Sequence, residues 1–155
     1  MSAIAVPVKG SAQSVQGWKR PIMLAMAMVL LVSIGDAGAP GPISPLPINA
    51  VPFTPPAAYR LWWARTEACS ARRGDLSAIE WFVVPQVSTF GTTEGAKVAR
   101  WSHGEGGARV VIAGAFVNDE MVVRHEMLHA LLDQGGHPAE YFVGRCHLTW
   151  QSWGG

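Results

Sequence analysis

Between Asn118 and His137 (NDEMVVRHEMLHALLDQGGH), the apolar residues Met121, Val122, Val123, Met127, Leu128, Ala130, Leu131 and Leu132 point in nearly every direction around a helix. A helix that is apolar all round is a buried one. Asn118 stands where an N-cap belongs, and Asp119 and Glu120 put negative charge on the first turn. Gly135-Gly136 closes the run, as glycine does just past a helix end. Glu120 and Arg124, four residues apart in the favourable order, predict an ion pair at the one wet edge.

Upstream the pattern changes period. Ala57 to Ala71 (AAYRLWWARTEACSA) predicts a first helix with Leu61, Trp62, Ala68 and Cys69 on or near one face. Ile79 to Val84 (IEWFVV) is β-branched and aromatic and stops at Pro85, a strand signature. The stretch through Gly91 and Gly95 reads as an irregular loop or flap. Lys97 to Trp101 predicts a second strand, Ser102 to Gly107 (SHGEGG) a loop, and Arg109 to Ala113 (RVVIA) a third strand. After the apolar helix, Pro138 favours an extended residue at His137 and can open a short helix over Ala139 to Cys146 (AEYFVGRC). A tail with His147, Trp150 and Trp153 follows. The order helix, three strands, helix, short C-terminal segment predicts an α+β domain over 57–155, and no internal repeat is visible.

Residues 1–39 have the pattern of a targeting segment. Lys9, Lys19 and Arg20 precede an apolar run of 13 residues, Ile22 to Ile34, and Ala37-Gly38-Ala39 offers a cleavage site. A membrane span needs about 20 residues, so export is expected, with an uncleaved N-terminal anchor as the alternative and the only membrane contact. Residues 40–56 hold seven of the eleven prolines and read as a semi-stiff linker whose last part, Ile48 to Phe53, can lie along the domain surface.

Charge removes some classes of function. After residue 39 there are 9 Lys/Arg against 10 Asp/Glu, with no basic run, so a nucleic-acid partner is not expected. Seven tryptophans in a short chain suggest a core or a cleft built from large rings. Cys69 and Cys146 belong to no Cys-x-x-Cys motif. In an exported chain they are expected to form a disulfide, worth on the order of 4 kcal/mol by loop closure, with two buried thiols as the alternative.

The chemistry sits on the apolar helix. His125, Glu126 and His129 form H-E-x-x-H, and histidines four apart share one helix face about 6 Å apart at Cβ. Both imidazoles can reach one ion, with Glu126 flanking it around the helix. That arrangement suits zinc, with the glutamate as general base for a bound water.

At His125-Glu126-Met127-Leu128-His129 the sequence resembles the zincin superfamily of zinc metallopeptidases. The wider pattern, from Arg124 through Leu132 and on to Gly136-His137-Pro138, is similar to small exported bacterial zincin-like proteins. The resemblance implies a minimal zincin-like domain, His125 and His129 as zinc ligands, and Glu126 as catalytic base. It further implies that the strand before the metal helix, Arg109 to Ala113, is an edge strand lining the cleft and pairing with an extended peptide or protein substrate. The expected activity is hydrolysis of a peptide bond outside the cytoplasm, secreted or in the cell envelope. A non-catalytic zinc-binding cell-envelope domain is the rival, and a metal hydrolase acting on another bond is a third reading.

The third ligand departs from the metzincin pattern, because Leu132 and Gly135 stand where that pattern needs Gly and His. His137 is the first choice, since Gly135-Gly136 permits a tight reversal and Pro138 holds His137 extended. Glu140 is the second choice. His147 is expected to be held away if Cys146 is bridged to the first helix. Tyr141 and His147 are candidates to assist an oxyanion, though a structural role is the commoner one, and His103 reads as a solvated loop residue.

Overall fold

The computed structural model describes residues 44–154, so the targeting segment over 1–39 lies outside the described residues. The fold is α+β. Its strands are β1 (Val51–Pro52), β2 (Glu80–Val84), β3 (Phe90–Thr92), β4 (Gly95–Lys97), β5 (Ala99–Gly104) and β6 (Gly107–Ala113); its long helices are α1 (Ala58–Ser70) and α2 (Glu120–Leu132). A π-helical turn, Glu140–Arg145, follows α2. No helix among the described residues is long and apolar enough to cross a membrane.

Four strands form one sheet in the order β1-β2-β6-β5, so the sheet is one strand wider than the three predicted. β2 and β6 run parallel, with Glu80 opposite Arg109 and Val84 opposite Ala113. β5 returns antiparallel along β6 across the two-residue turn Glu105-Gly106, with Gly107 at φ 127° on its far side. The predicted loop over Ser102 to Gly107 is therefore mostly strand. The region through Gly91 and Gly95, expected to be irregular, is the β3–β4 hairpin.

The position of β6 corrects the expectation that Arg109 to Ala113 is the edge strand. Val110 and Ile112 face the helices, while Val111 and Ala113 pack against Val84 and Phe90 on the opposite face. A strand buried on both faces reads as a continuous apolar run, as RVVIA does, and its place is the middle of the sheet. The edge falls to β5, whose sequence ARWSHG mixes polar and apolar residues. The other edge is β1, where Pro52 can sit because an edge position asks for no N–H in the ladder. Ser44 accepts from Arg100 through its hydroxyl and from Arg109 through its carbonyl, at 3.0 and 3.4 Å, so the proline-rich stretch joins the domain before residue 57.

Helix α1 buries Tyr59, Trp63, Thr66 and Ser70, a face one residue away from the predicted Leu61, Trp62, Ala68 and Cys69. The buried stripe includes two hydroxyls, and each is satisfied within the helix: Thr66 donates to the Trp62 carbonyl at 2.8 Å and Ser70 to the Thr66 carbonyl at 2.7 Å. Leu61 is 55% exposed. Tyr59 packs edge-on against Trp81 with ring centroids 5.0 Å apart and donates its hydroxyl to the Val117 carbonyl at 2.9 Å.

Helix α2 is the buried centre of the domain. Asp119, not Asn118, is its N-cap, with Oδ1 accepting from the Val122 N–H at 3.0 Å. Its end is set by Asp133 at φ 52°, two residues before the glycines. The Glu120–Arg124 pair forms at 3.0 Å but is not at a wet edge: Arg124 is buried, donates to Thr66 and lies over the Trp153 ring. Cys69 and Cys146 are joined in a disulfide that ties α1 to the C-terminal segment and points to an oxidising, extracytoplasmic environment.

Met127 has no exposed surface, so Met127→Ala is expected to lower unfolding free energy by about 2–5 kcal/mol. Leu61→Ala is expected to stay within about 0.5 kcal/mol. Urea unfolding of the disulfide-bonded protein checks both, and equal losses would contradict the burial assigned to α1.

Candidate metal centre

His125 and His129 project from one face of α2, one turn apart. The chain then reverses at Asp133, whose left-handed conformation an aspartate tolerates better than most residues. Neither Gly135 nor Gly136 takes a positive φ, so the reversal expected from the glycine pair is made by Asp133. It brings His137 back over the two-histidine face, and Pro138 begins the turn that follows, its carbonyl accepting from Tyr141 and Phe142.

The three imidazoles meet through their Nε2 atoms. His125 and His137 are 3.0 Å apart, His129 and His125 3.2 Å, and His129 and His137 3.2 Å. The opposite nitrogens of the two helical histidines are engaged: His125 Nδ1 with the Leu148 carbonyl at 2.7 Å, and His129 Nδ1 with the Gln134 carbonyl at 2.8 Å. A carbonyl only accepts, so each Nδ1 carries the hydrogen and each neutral ring turns a bare Nε2 lone pair inward. Burial also disfavours the charged rings, lowering His125 below its ordinary value and His129 to about 4. Bare nitrogens 3.2 Å apart repel one another unless a cation or a proton lies between them.

The triangle suits a metal ion. Tetrahedral zinc with bonds of about 2.0–2.1 Å to nitrogen places neighbouring ligands about 3.3 Å apart. His125, His129 and His137 are the one such cluster among the described residues, and carbonyls on the far side of two rings are the partners that metal-ligating histidines usually have. Glu140, the second choice, instead pairs with Arg145 at 3.0 Å on the surface.

Glu126 lies beside the triangle without contributing to it. Its side chain is buried, and burial raises its carboxyl to about 8, opposed by the Trp101 backbone N–H and the charges of Lys97 and Arg100. Two cavities meet at this point. One, of about 390 Å³, is lined by Arg100, Trp101 and His103 of β5; the other, of about 410 Å³, by Val98, Met121, Val122 and Trp150. Ala99, His125, Glu126 and His137 line both, so the cleft follows β5 rather than Arg109 to Ala113.

Other candidates lie elsewhere. His147 lines a separate cavity with Arg65, Glu120 and Arg124. Tyr141 holds Arg72 through its hydroxyl at 2.8 Å and lines neither cavity of the cleft. His103 is not a loop residue: it stands in β5, 3.7 Å from Asp133 and edge-on to Trp101. Two aromatic neighbours were not legible in the sequence. Trp101 stacks on His129 at 6.1 Å, and the fully buried Phe142 ring lies 4.8, 4.7 and 4.9 Å from His125, His129 and His137. Neither carries a motif, and only the alternation of β5 hinted that Trp101 faces the helix. Comparison with protein-family models, curated proteins and solved structures finds no match.

His137→Ala is expected to weaken metal binding as much as His129→Ala, while Glu140→Ala leaves it unchanged; chelator competition reads the difference. A pH dependence also follows for the metal-free protein. Glu126, raised from 4.5 to about 8, keeps its proton in the folded state over that window and loses it in the unfolded chain. Its contribution is therefore full at low pH and is lost as pH rises through about 8. The two depressed histidines act oppositely: they favour folding above 6.5, and that contribution is lost as pH falls, for His129 through about 4. The opposing slopes of Glu126 and the two histidines hold until the unfolded histidines lose their protons, so melting temperature in the presence of chelator is expected to peak near about pH 6–6.5 and decline towards pH 8. Glu126→Gln should flatten the alkaline decline; an unchanged decline would show that Glu126 is not its source.

Proposed function

We propose that this domain is an exported zinc-dependent metallopeptidase. The observation that supports the reading best is Glu126: a buried carboxyl facing the cleft, adjacent to three converging imidazoles and used by none of them. A structural zinc site takes four protein ligands, whereas three protein ligands leave a position for water or substrate. The three histidines, with Glu126 spare, fit the second kind.

Zinc held by His125, His129 and His137 would supply a Lewis acid for the scissile carbonyl and lower the pKa of water to about 7. Glu126 would take the proton from the attacking water and deliver it to the leaving amine. A positive ion beside it opposes the effect of burial and favours the carboxylate, the form a base needs. Lys97 and Arg100 act in the same sense. The peptide would lie extended along β5, the edge of the four-stranded sheet, pairing with its backbone while the two cavities receive side chains. The disulfide agrees with a site of action outside the cytoplasm, secreted or in the cell envelope.

The test is metal content together with cleavage of a mixed peptide library. Glu126→Gln is expected to keep zinc and lose about 10²- to 10⁴-fold in turnover, the range for removing a general acid–base. A Glu126→Gln protein that cleaves as fast as the parent would refute the mechanism. Zinc bound with no cleavage of any peptide would favour a non-catalytic zinc-binding cell-envelope domain.

A further inference from the structure

The Cys69–Cys146 bridge contributes no atom to the histidine cluster, yet short contacts run from it to the imidazoles without a break. The Cys146 N–H donates to the Tyr141 carbonyl at 2.9 Å, closing the π-helical turn. The Leu148 N–H donates to the Phe142 carbonyl at 2.8 Å, and the Leu148 carbonyl in turn accepts from His125 Nδ1 at 2.7 Å. Phe142 underlies all three rings at 4.7–4.9 Å between centroids. Leu128, Phe142, Cys146 and Leu148 form one buried cluster, with Cys69 packed against it.

Between Cys146 and Leu148 stands His147 at φ 52°, a left-handed conformation that its neighbours must hold. On one side the holder is the disulfide to α1; on the other it is the Leu148 pair of hydrogen bonds. The side-chain hydrogen bond from this segment towards α1, Arg72 to Tyr141, starts two residues past α1 and is exposed to water, which competes for both groups. The covalent bridge is therefore the strongest constraint on where the Leu148 carbonyl and the Phe142 ring sit.

We infer that the Cys69–Cys146 disulfide is a positioning element of the metal centre. It holds the Leu148 carbonyl on His125 Nδ1, which selects the tautomer with a bare Nε2, and it holds Phe142 against the three imidazoles. The inference rests on the metal reading of the histidine cluster but not on peptide hydrolysis. Losing the outer partner of a metal-bound histidine typically weakens metal binding about 10- to 100-fold, and that is the effect expected here.

The experiment compares the full oxidised chain with C69A/C146A, titrating zinc against a chromophoric chelator. Imidazole nitrogen NMR of the metal-free proteins reads the tautomer. The double variant is expected to keep its far-UV circular dichroism, bind zinc about 10- to 100-fold more weakly, and show His125 as a tautomer mixture where the parent shows Nδ1–H alone. Val84→Ala, in the core on the other face of the sheet, is the control for stability: it should melt lower yet bind zinc as the parent does. Phe142→Leu, with the bridge intact, tests the same path and decides the matter if the double variant does not fold; about a tenfold weakening is expected. A folded double variant, or Phe142→Leu where the double variant is unfolded, that binds zinc as tightly as the parent overturns the inference and leaves the metal reading standing. An oxidised parent that binds no zinc overturns both.

Discussion

Three imidazole nitrogens held 3.0–3.2 Å apart are a constraint to which the rest of the domain answers. Such proximity is unfavourable for neutral rings by themselves, because lone pairs face one another. It persists because each helical histidine is locked from behind by a backbone carbonyl and packed from the side by an aromatic ring. The carbonyls come from Gln134 and Leu148, on opposite sides of His137 in sequence. The segment from Asp133 to Leu148 thus delivers one imidazole and orients the other two.

Burial of α2 serves the same end. Met127 and Leu128 have no exposed surface, so the helix carrying two of the histidines cannot shift without opening the core. β6 packs beneath it through Val110 and Ile112, and β5 hangs on β6 as the edge that borders the cleft. The result is a rigid floor with an open side. Glu126 sits where the two meet, buried among protein atoms yet lining both cavities.

Two buried arginines find their partners on neighbouring elements. Arg109 crosses to Glu80 on the neighbouring strand at 2.9 Å, and Gly104 lies against that pair, where a Cβ would make the Glu80 carboxylate and Arg109 shift. Arg124 is buried between Glu120, Thr66 and the Trp153 ring, which links α1, α2 and the tail in one network. Both arginines lie where apolar residues would have been the simpler choice, and both join elements distant in sequence.

The α+β class, the buried character of α2, the pairing of His125 with His129 and the joining of Cys69 to Cys146 were readable from the chain alone. Each depends on local periodicity, or on a residue type with few alternative uses. The first choice of His137 was also within reach, because few residues follow His129 and Pro138 limits its conformations. Tertiary structure decided the remainder. Whether Arg109 to Ala113 or Ala99 to Gly104 is the edge depends on which strand finds a neighbour on both sides; the apolar run RVVIA favours the middle, but the assembled sheet decides it. The buried stripe of α1 moved by one residue because Thr66 and Ser70 satisfy their hydroxyls inside the helix, so hydropathy alone misplaced it. Asp133 rather than a glycine turned the chain, since aspartate tolerates the left-handed conformation better than most residues. Phe142 and the Leu148 carbonyl, which orient the converging imidazoles, carry no sequence signal; their role arises only from where the folded chain places them.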